Sequence, residues 1–176
     1  MKAIAVVCAL NVLFFVQSFC SVTASLEETC KNATRSKEFY EFCITSLQVV
    51  PESRTADIKG LASIAADLTM TNYTHTIAKV QGLQKKGGLS NSITMALSTC
   101  SDAYGVAIGY IQGSIAHIKT GDIKNAHINM IWANSAPDDC ETAFDEFHNK
   151  SLLSTEDDFA NRLSRLAINI IYLLLE

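Results

Sequence analysis

The sequence predicts an all-α protein, an antiparallel four-helix bundle with a short N-terminal helical hairpin and two disulfides. Three observations support this fold class. Pro51 and Pro137 are the only prolines in the 176 residues, so long helices can run without interruption. Apolar residues recur at spacings of three and four over several segments, as one buried helical stripe requires. Short joints connect these segments, and short joints favour antiparallel neighbours.

The first 24 residues are predicted to be a secretory signal peptide. Lys2 precedes an apolar run from Ala3 to Val16, and small residues close the run at Val22 and Ala24. A membrane anchor would need about 20 apolar residues, and this run is shorter. We therefore expect residues 25–176 to form one domain in an oxidising compartment.

The charge balance argues against two classes of partner. Loss of Lys2 with the signal leaves 13 of the 14 basic side chains against 18 acidic ones, a formal charge of −5. An acidic domain is poorly suited to bind nucleic acid or an anionic membrane. We expect neither partner.

Two long central segments carry the clearest helical periodicity. The first begins near Thr55 and ends at the Gly87-Gly88 pair, and its apolar positions are Ile58, Leu61, Ile64, Ala65, Leu68, Ile77 and Val80. The second has the more regular stripe, formed by Ile93, Leu97, Cys100, Tyr104, Ala107, Ile111, Ile115 and Ile118. Each pattern predicts a long helix with one buried face.

Gly121 and Asp122 are predicted to form a tight turn between two helices. Glycine readily takes the left-handed conformation that closes a helix, and aspartate is a good N-cap for the next one. The apolar positions of the following segment are Ile123, Ala126, Met130 and Ile131. The sequence "SAPDDC" then interrupts this pattern, and its Pro137 and two acids predict a broken or kinked third helix.

The last helix is predicted to start in "STEDDF", with Ser154 or Thr155 as the N-cap. Its apolar stripe reaches the C-terminus through Phe159, Leu163, Leu166, Ile170 and Leu173. The ending "AINIIYLLLE" could also be a lipid-anchor tail. Polar residues lie between the apolar positions at helical spacing, namely Arg162, Arg165 and Asn169, so we favour a core helix.

Four cysteines remain after the signal is removed, and they allow two disulfides in one of three connectivities. They are Cys30, Cys43, Cys100 and Cys140. A helix from Cys100 to Gly121 rises roughly 31 Å, and one from there back to Cys140 descends about 27 Å. These two sulfurs could therefore lie level on neighbouring helices, but this arithmetic leaves the other pairings open. The residues between Cys30 and Cys43 have room for a short helical hairpin.

Motifs that would indicate an enzyme are absent from the sequence. It has no phosphate-binding loop, no Gly-x-Ser-x-Gly and no close histidine pair of the metalloprotease type. His117 and His127 flank the Gly-Asp turn and could hold a metal between two helices, but solvated or packed histidines are the favoured interpretation. Acidic pairs at 138–139 and 157–158 lie at helix starts, where the helix dipole explains them. We expect no catalysis, no cofactor and no bound metal.

Gly105, Gly109 and Gly113 are unusual because they lie inside the most regular helical segment. Each glycine there costs about 1 kcal/mol relative to alanine. Close approach of another helix or of the hairpin is the favoured explanation. The alternative is a smooth exposed ridge for a partner protein.

Three Asn-x-Ser/Thr triplets are candidate glycosylation sites on the secretory route. They begin at Asn32, Asn72 and Asn149.

Five motifs together resemble one protein family. They are "TCKNATRSKEFYEFC", "SRTADIKGLASIAADL", "LSTCSDAYGVAI", "GDIKNAHINMIWANSAPDDCETAF" and "RLAINIIYLLL". In these motifs the mature chain resembles the plant invertase and pectin methylesterase inhibitors. It is most similar to the pollen-allergen-like branch, whose members carry the name of invertase inhibitors. The resemblance implies a hairpin closed by Cys30–Cys43 and a bundle whose second and third helices are joined by Cys100–Cys140.

The resemblance also implies a function and a candidate site. The protein would be a secreted inhibitor of a plant cell-wall enzyme, pectin methylesterase or acid invertase, that blocks the substrate cleft in the apoplast. In the family's invertase inhibitors a Pro-Lys-Phe motif follows the Gly-Asp turn and enters the active site. The matching residues here are Ile123, Lys124 and Asn125, so only the lysine remains. With Asp122 they are the candidate partner-binding residues.

Inhibition of pectin methylesterase does not require this motif. The resemblance implies that a helical face of the bundle covers the cleft of that enzyme. A secreted binding or signalling module of the same fold, without inhibitory activity, is the alternative that the missing motif favours. Carriage of a small ligand has less support, because Leu and Ile fill the predicted core without polar anchors.

Overall fold

The structure is a computed structural model that describes residues 26–176. Residues 26–33 form the first helix of the described chain, α1. The helices that follow are α2 (Lys37–Leu47), α3 (Ile58–Lys86), α4 (Asn91–Thr120), α5 (Ile123–Ala133), α6 (Ala136–Glu146) and α7 (Ser154–Tyr172), with a 3₁₀ turn at Pro51–Arg54. Since residues 26–176 contain helices and connections but no strand, the predicted all-α class is confirmed. The predicted signal peptide lies outside the described residues.

The bundle consists of α3, α4, the α5–α6 pair and α7. Helix α4 packs on α3, α5 and α6, and α7 packs on the same three elements. The predicted interruption of the third helix is confirmed, because α5 ends at Ala133 and α6 begins at Ala136. The core contains fully buried residues from each part, including Leu61, Leu97, Met130, Phe144 and Leu166. Burial of each such side chain contributes roughly 1.5–3 kcal/mol.

The predicted turn between α4 and α5 is confirmed in detail. Gly121 has a φ of 84°, in the left-handed region, and its N–H donates to the carbonyls of His117 and Ile118. Asp122 accepts a hydrogen bond from the Asn125 backbone N–H. The glycine therefore ends one helix and the aspartate starts the next.

The predictions for α7 are wrong at two positions, the N-cap and Phe159. The residue at its N-cap is Leu153, which has no side-chain acceptor, and the helix already includes Ser154. Phe159 is 44% exposed, although the apolar stripe predicted it to be buried. Its ring packs edge-on against Phe42 of α2, with centroids 5.6 Å apart, and this contact leaves much of the ring exposed to solvent. The buried face of α7 contains Asp157 instead.

Two disulfides join the elements, and both pairs are those that the resemblance implies. Cys30–Cys43 connects α1 to α2, and Cys100–Cys140 connects α4 to α6. On the chain-entropy model, loops of these lengths stabilise the fold by roughly 3 and 4 kcal/mol. The hairpin of α1 and α2 also contacts α7, where the Asn169 side chain donates to the Ala33 carbonyl at 2.9 Å.

The C-terminal segment belongs to the core, as predicted. Ile170 and Ile171 are both fully buried. Within residues 26–176, no helix has the length and apolar character needed to span a membrane.

Candidate functional site

The first candidate site is the Gly-Asp turn. The polar side chains of Asp122 and Asn125 are hydrogen-bonded to each other within this turn. Asp122 Oδ1 accepts from the Asn125 N–H at 3.3 Å, and Asp122 Oδ2 accepts from Asn125 Nδ2 at 2.7 Å. His117 Nδ1 lies 3.3 Å from Asp122 Oδ2. The hydrogen bond from the Asn125 side chain is the main cause that lowers the pKa of Asp122. This cluster is a closed helix cap.

The four candidate partner-binding residues have different surroundings. Ile123 is half-buried and packs against the core. Asn125 is exposed, but its amide is held by Asp122. Lys124 is exposed. Residues 122–125 therefore present one exposed cation, Lys124, rather than a rigid apolar plug.

The two histidines beside the turn have separate partners. His117 contacts Asp122, whereas the His127 ring packs against Tyr172 with centroids 5.6 Å apart. Burial lowers the pKa of His127. Among residues 26–176 there is no group of three or more His, Cys, Asp or Glu residues that could hold a metal.

The second candidate site is a groove between α4 and the α5–α6 pair, which we call the α4–α6 groove. Its volume is about 620 Å³. It is lined by Thr99, Asp102, Ala103, Val106, Ala107, Tyr110, Trp132, Ser135, Asp139, Thr142, Ala143 and Glu146.

Large apolar side chains stand exposed in this groove. Val106 is 63% exposed, Trp132 59% and Tyr110 39%. The lining includes the acids Asp102, Asp139 and Glu146 but neither lysine nor arginine. Tryptophan and tyrosine are enriched at the energetic centres of protein interfaces. The groove thus has the composition of a docking surface for a protein with apolar and basic groups.

The glycines of α4 extend this exposed surface. Gly105 and Gly109 are exposed, and a Cβ added at either would meet nothing within 4 Å. The favoured prediction, close approach of another element, is therefore wrong at these two positions. At Gly113 an added Cβ would lie 2.5 Å from Asn129 Nδ2 of α5, so close approach does occur there. The exposed pair matches the alternative, a smooth ridge.

The two candidate sites are separate surfaces. Tyr110 and Asp122 are separated by roughly 18 Å along the axis of α4, at ~1.5 Å per residue. Sequence reasoning missed the groove, although one signal was present. Val106 and Tyr110 are large apolar residues that fall outside the predicted buried stripe of α4, and Trp132 is the single tryptophan of the chain.

The three predicted glycosylation sites differ in accessibility, and their modification stays a prediction. Asn32 is exposed in α1. Asn149 lies between α6 and α7, where its Nδ2 donates to the Phe147 carbonyl at 2.8 Å. Asn72 lies in the middle of α3, and its buried Oδ1 has no hydrogen-bond donor among the described residues.

Comparisons with known proteins agree on one family. The model of the plant invertase/pectin methylesterase inhibitor family matches residues 24–173. An Arabidopsis thaliana protein named "Cell wall / vacuolar inhibitor of fructosidase 2" is 30% identical over 124 residues, which cover 70% of this chain and 67% of that protein. A Platanus acerifolia protein named "Putative invertase inhibitor" is 32% identical over 142 residues, covering 80% of this chain and 76% of the relative.

A solved structure has the same fold. It is the crystal structure of a mutant form of a pectin methylesterase inhibitor from Arabidopsis, with a TM-score of 0.68 and 21% identity. The match covers 82% of this chain and 93% of that one.

Proposed function

Since this chain belongs to the plant invertase/pectin methylesterase inhibitor family, we propose that it is a secreted inhibitor of a plant cell-wall carbohydrate-active enzyme. The family consists of enzyme inhibitors rather than enzymes. The first candidate target is pectin methylesterase, whose substrate cleft the bundle would block. We also propose that residues 1–24 are the export signal and that residues 25–176 act in the apoplast.

The α4–α6 groove is the observation that carries this proposal. An inhibitor that blocks a cleft needs a rigid surface that stays in place when the target docks. The groove lies on α4, α5 and α6, of which α4 and α6 are joined by Cys100–Cys140, and it exposes Trp132, Val106 and Tyr110. A standard interface buries about 800 Å² on each partner, so we expect the target to cover the helix surfaces beside the groove as well.

We rank pectin methylesterase ahead of acid invertase as the target because the Gly-Asp turn lacks a protruding, preorganised side chain. Insertion into a narrow active site favours a protruding and preorganised side chain. Ile123 is half-buried and Asn125 folds back onto Asp122, so neither fills the role of the proline or the phenylalanine. A helical face does not depend on these residues.

Acid invertase is the second candidate target. Two relatives at 30% and 32% identity carry the names of a fructosidase inhibitor and an invertase inhibitor. Lys124 is exposed and could meet the carboxylates that glycosidase active sites contain. A binding or signalling module without inhibitory activity is the remaining alternative, and it would use the same groove.

An inhibition assay with two target enzymes tests the proposal. The mature protein, residues 25–176, is incubated at mildly acidic pH with a purified plant pectin methylesterase and, separately, with an acid invertase. We expect saturable inhibition of the esterase and weak or no inhibition of the invertase. Binding to an enzyme without loss of its activity would favour the non-inhibitory module.

A further inference from the structure

A buried carboxyl cluster lies directly beneath the α4–α6 groove. Asp157 of α7 is only 3% exposed, and its Oδ1 accepts a hydrogen bond from the Tyr104 hydroxyl of α4 at 2.5 Å. The Glu141 carboxyl of α6 also acts on Asp157 and raises the pKa of its side chain. One acidic residue thus joins three helices of the bundle.

Two oxygens in this cluster lack a donor when both carboxyls are ionised. They are Asp157 Oδ2 and Glu141 Oε1, and both are buried. Glu141 Oε2 is already paired, because the Ser154 hydroxyl donates to it at 3.2 Å. A buried carboxylate that lacks a donor is costly. A single proton shared by the two carboxyls would satisfy both oxygens at once.

The groups around Asp157 favour its protonated form. The titratable groups that face Asp157 are Tyr104 from α4, Glu141 from α6, Tyr73 from α3 and Glu156 from α7 itself. None of these is basic, and Lys79 forms its ion pair with Glu156. Burial, followed by the contact with Glu141, raises the pKa of Asp157 to about 8.

The same helical turns form the cluster on their inner side and the groove on their outer side. Tyr104 lies between the groove residues Ala103 and Val106, and Glu141 lies between Asp139 and Thr142. We propose that Asp157, held as a neutral acid, is a positioning residue that sets the spacing of α4 and α6 beneath the groove. This positioning role rests on the proposed function in one respect, since it is there that we assign the groove as the surface that contacts the target enzyme.

The proposal gives a definite pH dependence. The unfolded chain releases the Asp157 proton near the ordinary value of 3.8, whereas the folded chain keeps it up to about pH 8. Folding therefore binds a proton between these pH values, and stability falls as pH rises through this window. The stabilising contribution is complete below about pH 4 and is lost by about pH 8.

An isosteric variant tests this role without the target enzyme. In Asp157→Asn the amide can donate to Glu141 and its oxygen can still accept from Tyr104, so no titrating proton is needed. The matched control is Asp158→Asn, which removes a neighbouring acid from the same helical turn but at an exposed position. Equilibrium unfolding of the disulfide-bonded mature protein is measured at pH 5, 6, 7 and 8.

We expect the unfolding constant of the unaltered protein to rise, relative to that of Asp157→Asn, by up to tenfold per pH unit. Asp158→Asn should follow the unaltered protein. If Asp157→Asn does not fold, Glu141→Gln provides the second test. Its amide can donate to an ionised Asp157, which removes the effect of Glu141 and leaves that of burial, so the slope should become shallower. Parallel pH profiles of the unaltered protein and the folded carboxyl variants would overturn the proposal.

Hydrogen exchange of the free protein separates positioning from bulk stability. Between pH 5 and 8, after correction for intrinsic rates, we expect protection of residues 100–107 and 139–144 in the unaltered protein to fall more than that of the other helical segments. In Asp157→Asn this regional difference should be absent. An equal loss of protection in both proteins would contradict the positioning role. Because these measurements contain no enzyme, their outcome is independent of whether the chain inhibits pectin methylesterase.

Discussion

The α4–α6 groove and the Gly-Asp turn both lie at the surface of α4, yet they offer a partner different chemistry. The groove exposes Val106 and Tyr110 of α4 and Trp132 of α5, and a disulfide joins α4 to α6 beside them. In the turn, Asp122 and Asn125 satisfy each other through two hydrogen bonds. A surface whose polar groups are already hydrogen-bonded gains little binding free energy from a partner, whereas exposed aromatic rings gain free energy when a partner buries them. We therefore expect the groove, rather than the motif position, to supply most of the binding free energy.

The largest effect is expected at the centre of the groove. Trp132→Ala should weaken inhibition of pectin methylesterase at least 30-fold, because we expect Trp132 to be a hot spot and truncation of a hot-spot residue costs about 2 kcal/mol or more. The melting temperature should change little, since Trp132 is 59% exposed. Inhibition constants measured for both proteins check this.

The matched control for this variant is Tyr172→Ala. Tyr172 is an aromatic residue of α7 with 50% exposure and lies outside the groove. Its removal should leave inhibition unchanged. Equal effects of the two substitutions would remove the distinction between the groove and the rest of the surface.

A smaller effect is expected when the family motif is restored at the turn. Ile123→Pro combined with Asn125→Phe should increase inhibition of acid invertase roughly tenfold, because a rigid proline and an aromatic ring preorganise the tip. Ile123 is the first residue of α5, a position where proline is tolerated. Inhibition assays of this double variant with and without Lys124→Ala check the gain, which the lysine substitution should abolish. Nanomolar inhibition of invertase by the unaltered protein, insensitive to Lys124→Ala, would show that the turn is not the invertase-directed element.

Substitutions at Gly121 should destabilise the turn through backbone strain. Gly121→Ala is expected to cost about 1 kcal/mol, because a φ of 84° strains a residue with a side chain. Gly121→Asn should cost less, since asparagine tolerates this conformation better. Thermal melting of both variants measures the difference. An unchanged melting temperature for Gly121→Ala would mean that strain at this cap is negligible.

The smallest effects are expected along the glycines of α4. Gly105→Ala and Gly109→Ala should each stabilise the protein by about 0.5–1 kcal/mol, because alanine favours the helix and its Cβ meets nothing. Gly113→Ala should gain less, since Asn129 would have to move. Chemical denaturation compares the three variants. A larger gain at Gly113 than at Gly109 would contradict the packing described for α4 and α5.

Local signals were sufficient to predict most of the fold. The stripe of α4, the Gly121 turn and the break before Pro137 depend on residues that are close in sequence, and all three are confirmed. The exposure of Phe159 could not be predicted in this way, because it depends on where α2 packs against α7.

The sites depend on helix register, which the sequence does not show directly. Asp157 and Asp158 are identical neighbours, yet one is buried and the other exposed. The helix dipole accounts for an acid at either position, so only the packing of α7 against α4 and α6 distinguishes them. The groove similarly combines residues from 99–110 and 132–146, which antiparallel packing brings together.

Hydrogen exchange of the mature protein with and without bound pectin methylesterase tests the central claim most directly. The account predicts that the target protects residues 99–110 and 132–146, the two sides of the α4–α6 groove, while residues 121–125 exchange as in the free protein. Protection confined to the Gly-Asp turn or to the α1–α2 hairpin, with the groove unchanged, would contradict it.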